Sequence, residues 1–258
     1  RLRRLFDELT AHPEWDGVAS QVELIGNERP GMRRYVEWQN TLLTPGLLAA
    51  ARFVELPALR QTGLYRREAL DKLSVPVSAP ASPVGGHCTS PYRDLAEWPI
   101  DSDFFFRWFE VGLVLGKIGA PPLYKWRQHA GQHTRTQGRC SLDSLRACKV
   151  HFMLRRGGPA HAAAEVQVWS TGRTLTEWAA SLRNAGARLV REVEWRPGAP
   201  LPTDWVGRAS GVSCNSLAGG SDNNGHVVRL FAFGMAKARV RARAAVRDWD
   251  GQLDWFVA

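Results

Sequence analysis

The 258-residue chain reads as an α/β protein built in two parts. Three observations predict this. The second half alternates short apolar runs with stretches of helical period, the material of a small, largely parallel sheet. The central stretch, residues 99–133, passes from an aromatic helix-period run through closely spaced glycines to a Tyr-x-Trp-Arg-x-His element. Composition is that of a globular protein, with 44% hydrophobic and 23% charged residues. No run approaches the roughly 20 apolar residues that span a bilayer, so no membrane span is expected.

In chain order, Leu2, Leu5, Phe6 and Leu9 fall at helical spacing, and His12-Pro13 ends that helix. The opening is amphipathic and carries acids, which does not fit a signal peptide. Residues 18–25 alternate loosely as a strand, and 26–31 form a loop. Tyr35, Trp38, Leu42 and Leu43 share one face of a second helix, which Pro45 and Gly46 end; residues 47–53 are short and Ala-rich. Residues 61–67 fit a plain buried strand with exposed arginines. Residues 74–91 carry Pro76, Pro80, Pro83, Pro91 and Gly85-Gly86 and read as a loop. There the adjacent His87 and Cys88 read as solvated residues, since two neighbouring donors without further partners do not make a metal set.

Asp101 and Asp103 stand where a helix begins, ahead of Phe105, Trp108, Phe109 and Gly112 at helical spacing. A carboxylate there suits a general base for a hydroxyl nucleophile, and it equally suits capping of free helical N–H groups. A Gly-Lys-Ile-Gly turn and a short apolar strand-like piece follow. The stretch then closes on Tyr124, Trp126, Arg127 and His129, with His133 and Arg135 continuing a basic segment. Arginine suits phosphate through its planar fork, and imidazole suits Mn²⁺.

A boundary falls near 137–139, giving residues 1–138 and 139–258 as the expected domains. Ser141 caps a helix through Phe152, which 157–159 ends. Then come a strand at 164–169, a Ser170-Thr171-Gly172 turn, a helix at 173–184 with Gly186 just past its end, and a strand at 187–195. After an insertion-like segment at 197–225 come a strand at 227–233, a helix at 235–248 and a terminal strand at 253–258. Neither the Ser170-Thr171-Gly172 turn nor the Phe233-Gly234 turn is a G-x-G-x-x-G fingerprint. The last helix arranges its cations in two stripes, 237/241 and 239/243/247, with Met235, Ala238, Ala242 and Val246 as its packing face.

The net charge of +9 suits either nucleic acid or phosphate-bearing small substrates. The last helix lacks aromatic interleaving and reads as a solvated basic rim, so nucleic acid is not the expected partner. Most of the eleven tryptophans read as packing residues. Cys88, Cys140, Cys148 and Cys214 show no C-x-x-C pair and read as reduced thiols of a cytoplasmic compartment.

The order of these motifs resembles family 2 glycosyltransferases with the GT-A fold, in particular beta-1,3-N-acetylglucosaminyltransferase-like proteins. The resemblance rests on the opening Arg-Leu helix with His12-Pro13-Glu14, on RRYVEWQNTLLTP, on the Thr62 to Arg67 element, on the acidic helix start and on Tyr124 to His129. It implies the C-terminal part of a GT-A domain followed by a small Rossmann-like domain. In the family the metal-binding Asp-x-Asp segment precedes the opening helix, so the resemblance implies that residue 1 lies midway through the catalytic domain. The implied reaction moves a sugar from a nucleotide-sugar donor to a carbohydrate or other hydroxyl acceptor. Asp101 takes the place of the base, with Asp103 as its alternate; Ile100 stands where the family has Glu. Arg127, His129 and Arg135 are implied at the donor diphosphate, and His129 as ligand of a divalent metal, Mn²⁺ or Mg²⁺. Thr62, Trp98 and Trp108 are implied at the acceptor. The alternative is a catalytically inactive sugar- or nucleotide-binding protein of the same lineage.

Overall fold

The computed structural model describes residues 1–26, 29–76, 89–155, 158–161, 165–202 and 227–258. His87, Cys88, Cys214 and most of the 197–225 segment lie outside the described residues. The chain is α/β and divides into two compact units, Arg1–Lys149 and Val150–Ala258.

In the first unit, α1 (Leu2–Ala11) buries Leu5 and Leu9 and leaves Leu2 and Phe6 exposed. The strand expected over 18–25 is two strands, β1 (Gly17–Ser20) and β2 (Val22–Gly26). β1 is buried along its whole length, so the loose alternation expected over 18–25 does not divide it into a buried and an exposed face. Next come α2 (Pro30–Thr41) and α3 (Pro45–Ala51). Pro45, read as a helix breaker, instead starts α3. Thr44 Oγ1 accepts the Leu47 N–H, and proline lacks the N–H that a first helical turn leaves unpaired.

The strand expected over 61–67 is replaced by a 3₁₀ turn (Arg60–Thr62), a two-residue β3 (Leu64–Tyr65) and α4 (Arg67–Leu73). Glu68 in the first turn of α4 and Lys72 in its last complement the helix dipole, and the arginine run becomes a helix entry. β4 (Val75–Pro76) and β5 (Thr89–Ser90) pair antiparallel. α5 (Ile100–Glu110) buries every residue from Ser102 to Trp108. β6 (Leu115–Ile118) occupies the place of the expected Gly-Lys-Ile-Gly turn, and β7 (Tyr124–Gln128) follows. The short α6 (His133–Thr136) closes the segment.

β1 is the middle strand of a three-stranded sheet, parallel to β6 and antiparallel to β3. A Cβ on Gly17 would lie 2.7 Å from the Tyr65 ring, so glycine lets α5 and β3 close over β1. β2 and β7 form a separate parallel pair, with Ile25 opposite Arg127. The core joins Ala19, Leu48, Phe104, Phe105, Trp108 and Leu115.

α7 (Leu142–Leu154) begins after Ser141, whose Oγ accepts the Ser144 N–H at 3.1 Å, and the division between the units falls within it. The second unit holds β8 (Glu165–Ser170), α8 (Gly172–Asn184), β9 (Leu189–Glu194), β10 (Val227–Ala232), α9 (Ala236–Ala245) and β11 (Asp254–Val257). The four strands are parallel in the order β11-β10-β8-β9. Successive strands therefore leave β8 in opposite directions, one crossover placing β9 and the next β10. Gly186, at φ +81°, stands just past α8 as the sequence predicts. Two expectations for α9 change: Arg239 is buried and Met235 is exposed. Arg239 turns inward because its guanidinium donates to the carbonyls of Phe233 and Gly234 at the end of β10.

Candidate active site at the start of α5

Asp101 and Asp103 lie in the first turn of α5, where free N–H groups favour negative charge. Neither caps the helix; the N-cap is Pro99, with no side-chain bond. The two carboxylates have different surroundings. Asp103 has 1% of its side chain exposed and is gripped on both oxygens. Arg107 Nε donates to Oδ2 at 2.7 Å, Arg93 Nε donates to the same oxygen at 3.0 Å, and Arg93 Nη2 donates to Oδ1. Trp98 Nε1 approaches Oδ1 at 3.4 Å. Arg107 also donates to the carbonyls of Leu73 and Pro91, so Asp103 and Arg107 bind the end of α4 and the residues after β5 to α5. Burial alone would raise the Asp103 pKa, but the hydrogen bonds of Arg93 and Arg107 outweigh it and hold the carboxyl below its usual value.

Asp101 has 22% of its side chain exposed. Its Oδ1 accepts from Arg60 Nε at 2.7 Å, and among the described residues Oδ2 has no partner. The Arg60 guanidinium lies 4.4 Å from the centre of the Tyr92 ring, which fixes it from the other side. Asp101 raises the Arg60 pKa against the effect of burial. This site therefore offers one reachable carboxylate oxygen, set by an arginine whose plane is held on an aromatic ring.

The remaining expected residues divide into two groups. Thr62 and Trp108 are fully buried. Thr62 Oγ1 donates to the Leu59 carbonyl at 2.7 Å, and Trp108 packs edge-on to Tyr65; as placed, neither presents surface to an acceptor. Trp98 is half-buried against Asp103. Arg127 and His129 are exposed at the end of β7, while the intervening Gln128 is buried. Arg135 Nη2 donates to Gln128 Oε1 at 3.1 Å, and Gln132 Nε2 donates to the Arg127 carbonyl at 2.9 Å. These bonds tie Gln132 and Arg135 to the end of β7, and no hydrogen bond among the described residues joins the side chains of Arg127, His129 and Arg135 to one another. No hydrogen bond or ion pair among the described residues joins them to Asp101.

Sequence reasoning missed Arg60, Tyr92, Arg93 and Lys117. Asp103 and Arg107 are four apart on one helix and their pairing was readable; Arg60 and Arg93 reach α5 from loops and were not. Lys117, within the expected turn, is buried on β6, and its Nζ donates to the carbonyls of Gln39 and Pro57 at 2.8 and 2.6 Å. Burial without a carboxylate lowers its pKa to about 7.

Among the described residues no group of three or more His, Cys, Asp or Glu side chains is placed to hold a metal ion. His129, the one metal ligand that the resemblance implies within this chain, is an exposed imidazole at the end of β7. No described helix is long and apolar enough to cross a membrane. Comparison with protein-family models, with curated proteins and with solved structures finds no match to this chain.

Proposed function

We propose that this chain is the acceptor-side part of a GT-A glycosyltransferase, followed by a Rossmann-like unit, and that Asp101 is its general base. The observation that carries the reading is the free Oδ2 of Asp101 beside the fully engaged Asp103. In the proposed reaction an acceptor hydroxyl lies against Asp101 Oδ2. As its oxygen bonds to the anomeric carbon, the hydroxyl proton passes to the carboxylate and the bond to the nucleoside diphosphate breaks. Arg60 occupies Oδ1 and holds the carboxylate in one orientation. Arg127 and Arg135 supply positive charge for the departing diphosphate, and His129 offers it a ring nitrogen.

A second reading, a sugar- or nucleotide-binding protein without turnover, is favoured by Ile100 in the place of the family's Glu. Calorimetric titration with UDP, with and without Mn²⁺, and a transfer assay over a panel of UDP-sugars separate the two. The enzyme reading predicts UDP binding together with turnover. UDP binding without turnover gives the second reading, and failure to bind UDP in either condition contradicts a donor site built from Arg127, His129 and Arg135.

A further inference from the structure

The second unit treats its cations in two ways. Arg173, Arg183, Arg188 and Arg229 are each paired with a carboxylate: Glu177, Glu192, Glu165, and Asp248 with Asp254. α9 contains no acid. Lys237, Arg241 and Arg243 on it, and Arg247 just after it, are all exposed, and none has a carboxylate partner among the described residues. Arg243 lies 5.2 Å from the centre of the Trp249 ring, a contact that leaves its charge uncompensated.

Their positions are ordered. At about 100° per residue, Ala236, Val240 and Ala244 form a ridge along the outward face. Lys237 and Arg241 flank it on one side and Arg243 on the other, and Arg247 follows just past the end of the helix. Arg239 and Ala242 face inward and are buried. Val240 is 70% exposed, and Met235 at the N-cap is 74% exposed. The outward face is thus an apolar ridge flanked on both sides by cations that have no carboxylate partner among the described residues.

We propose that this face docks on an anionic phospholipid surface. Phosphate and carboxylate headgroups match the cations on its two sides, and the shallow ridge that carries Val240 enters the boundary between headgroups and acyl chains. A nucleic-acid backbone would satisfy the cations equally but offers nothing to Met235 and Val240, and the helix carries no aromatic side chain for base stacking. The bilayer is therefore the occupant that uses both features.

The test is co-sedimentation of the intact chain with vesicles of phosphatidylcholine alone, or with about 30% phosphatidylserine, at about 0.1 M salt. Binding is expected only to the anionic vesicles and weakens as salt rises. Removing one cation costs about fivefold, so Lys237→Gln/Arg241→Gln binds roughly 25-fold more weakly. Both side chains are exposed, and an unchanged thermal midpoint verifies the fold. Val240→Ser weakens binding a few-fold without changing net charge. Arg173→Gln/Arg183→Gln, which removes the same charge from paired cations, leaves binding unchanged. Equal loss in that control, equal binding to neutral vesicles, or absence of binding overturns the proposal. Tighter binding to a short RNA or DNA duplex than to vesicles, with Val240→Ser neutral, overturns it in favour of nucleic acid.

Discussion

The first turn of α5 and the far end of β7 carry the two sets of side chains on which the proposed chemistry depends, and they are built differently. At α5, three arginines from different segments converge on two carboxylates, and an aromatic ring fixes one of the arginines. At β7, Arg127 and His129 project from a strand end into solvent, and the local bonds run through Gln128 and Gln132. One region holds its geometry before any ligand arrives. The other presents charge that a ligand must organise. Substitutions at Asp103 and its two arginines should therefore change folding, whereas those at β7 should change ligand binding alone.

The largest expected effect is at Asp103. Asp103→Asn leaves Arg93 and Arg107 without their shared counter-charge and should cost about 3–5 kcal/mol in chemical denaturation. The folded pKa of Asp103 lies below its unfolded value. Its contribution to stability is therefore present above the unfolded value, about pH 4, and is lost as pH falls through the folded one. The variant should accordingly show a shallower acid limb than the parent.

Lys117 gives the opposite slope. Its folded pKa, about 7, lies below the unfolded value near 10.4, so between them the unfolded chain binds more protons and stability should rise with pH. The rise should be visible from about pH 7 to 8.5. At higher pH it is offset by Cys148, Tyr35 and Tyr65, whose ionisation burial pushes upward. Lys117→Met should flatten the slope in denaturation curves recorded across that range.

Smaller effects mark the boundary of the comparison. Thr44→Ala should cost about 1 kcal/mol through loss of the α3 cap. Arg127→Ala and His129→Ala should each change stability by no more than about 0.5 kcal/mol while weakening UDP binding. A thermal midpoint that fell several degrees in either would mean that β7 is as tightly built as α5.

The βαβ units of the second half were legible because their apolar runs and glycine punctuation are local signals; Gly186 and Ser141 stand where the pattern puts them. The start of α3 was legible too, in the order Thr44-Pro45, had the proline been taken as a first-turn residue. What the sequence does not display is long-range pairing. Asp101 and Asp103 look alike in the chain. They differ because Arg60 reaches one from 41 residues away, while Arg93 and Arg107 enclose the other. Thr62 and Trp108 likewise carry groups that suit sugar binding, and only packing reveals that both are interior. Lys117 defeats pattern reading for the same reason, since a lysine between glycines suggests a turn until two carbonyls are brought to its amine.

The most direct measurement is UDP-sugar turnover by the parent and by Asp101→Asn, with thermal midpoints recorded beside the rates. The expected result is a fall of about 10² to 10⁴ in rate, the usual contribution of a general base, with a midpoint close to the parent's because a partly exposed ion pair contributes about 1 kcal/mol or less. Equal turnover by the two proteins would contradict the assignment of Asp101 as the base.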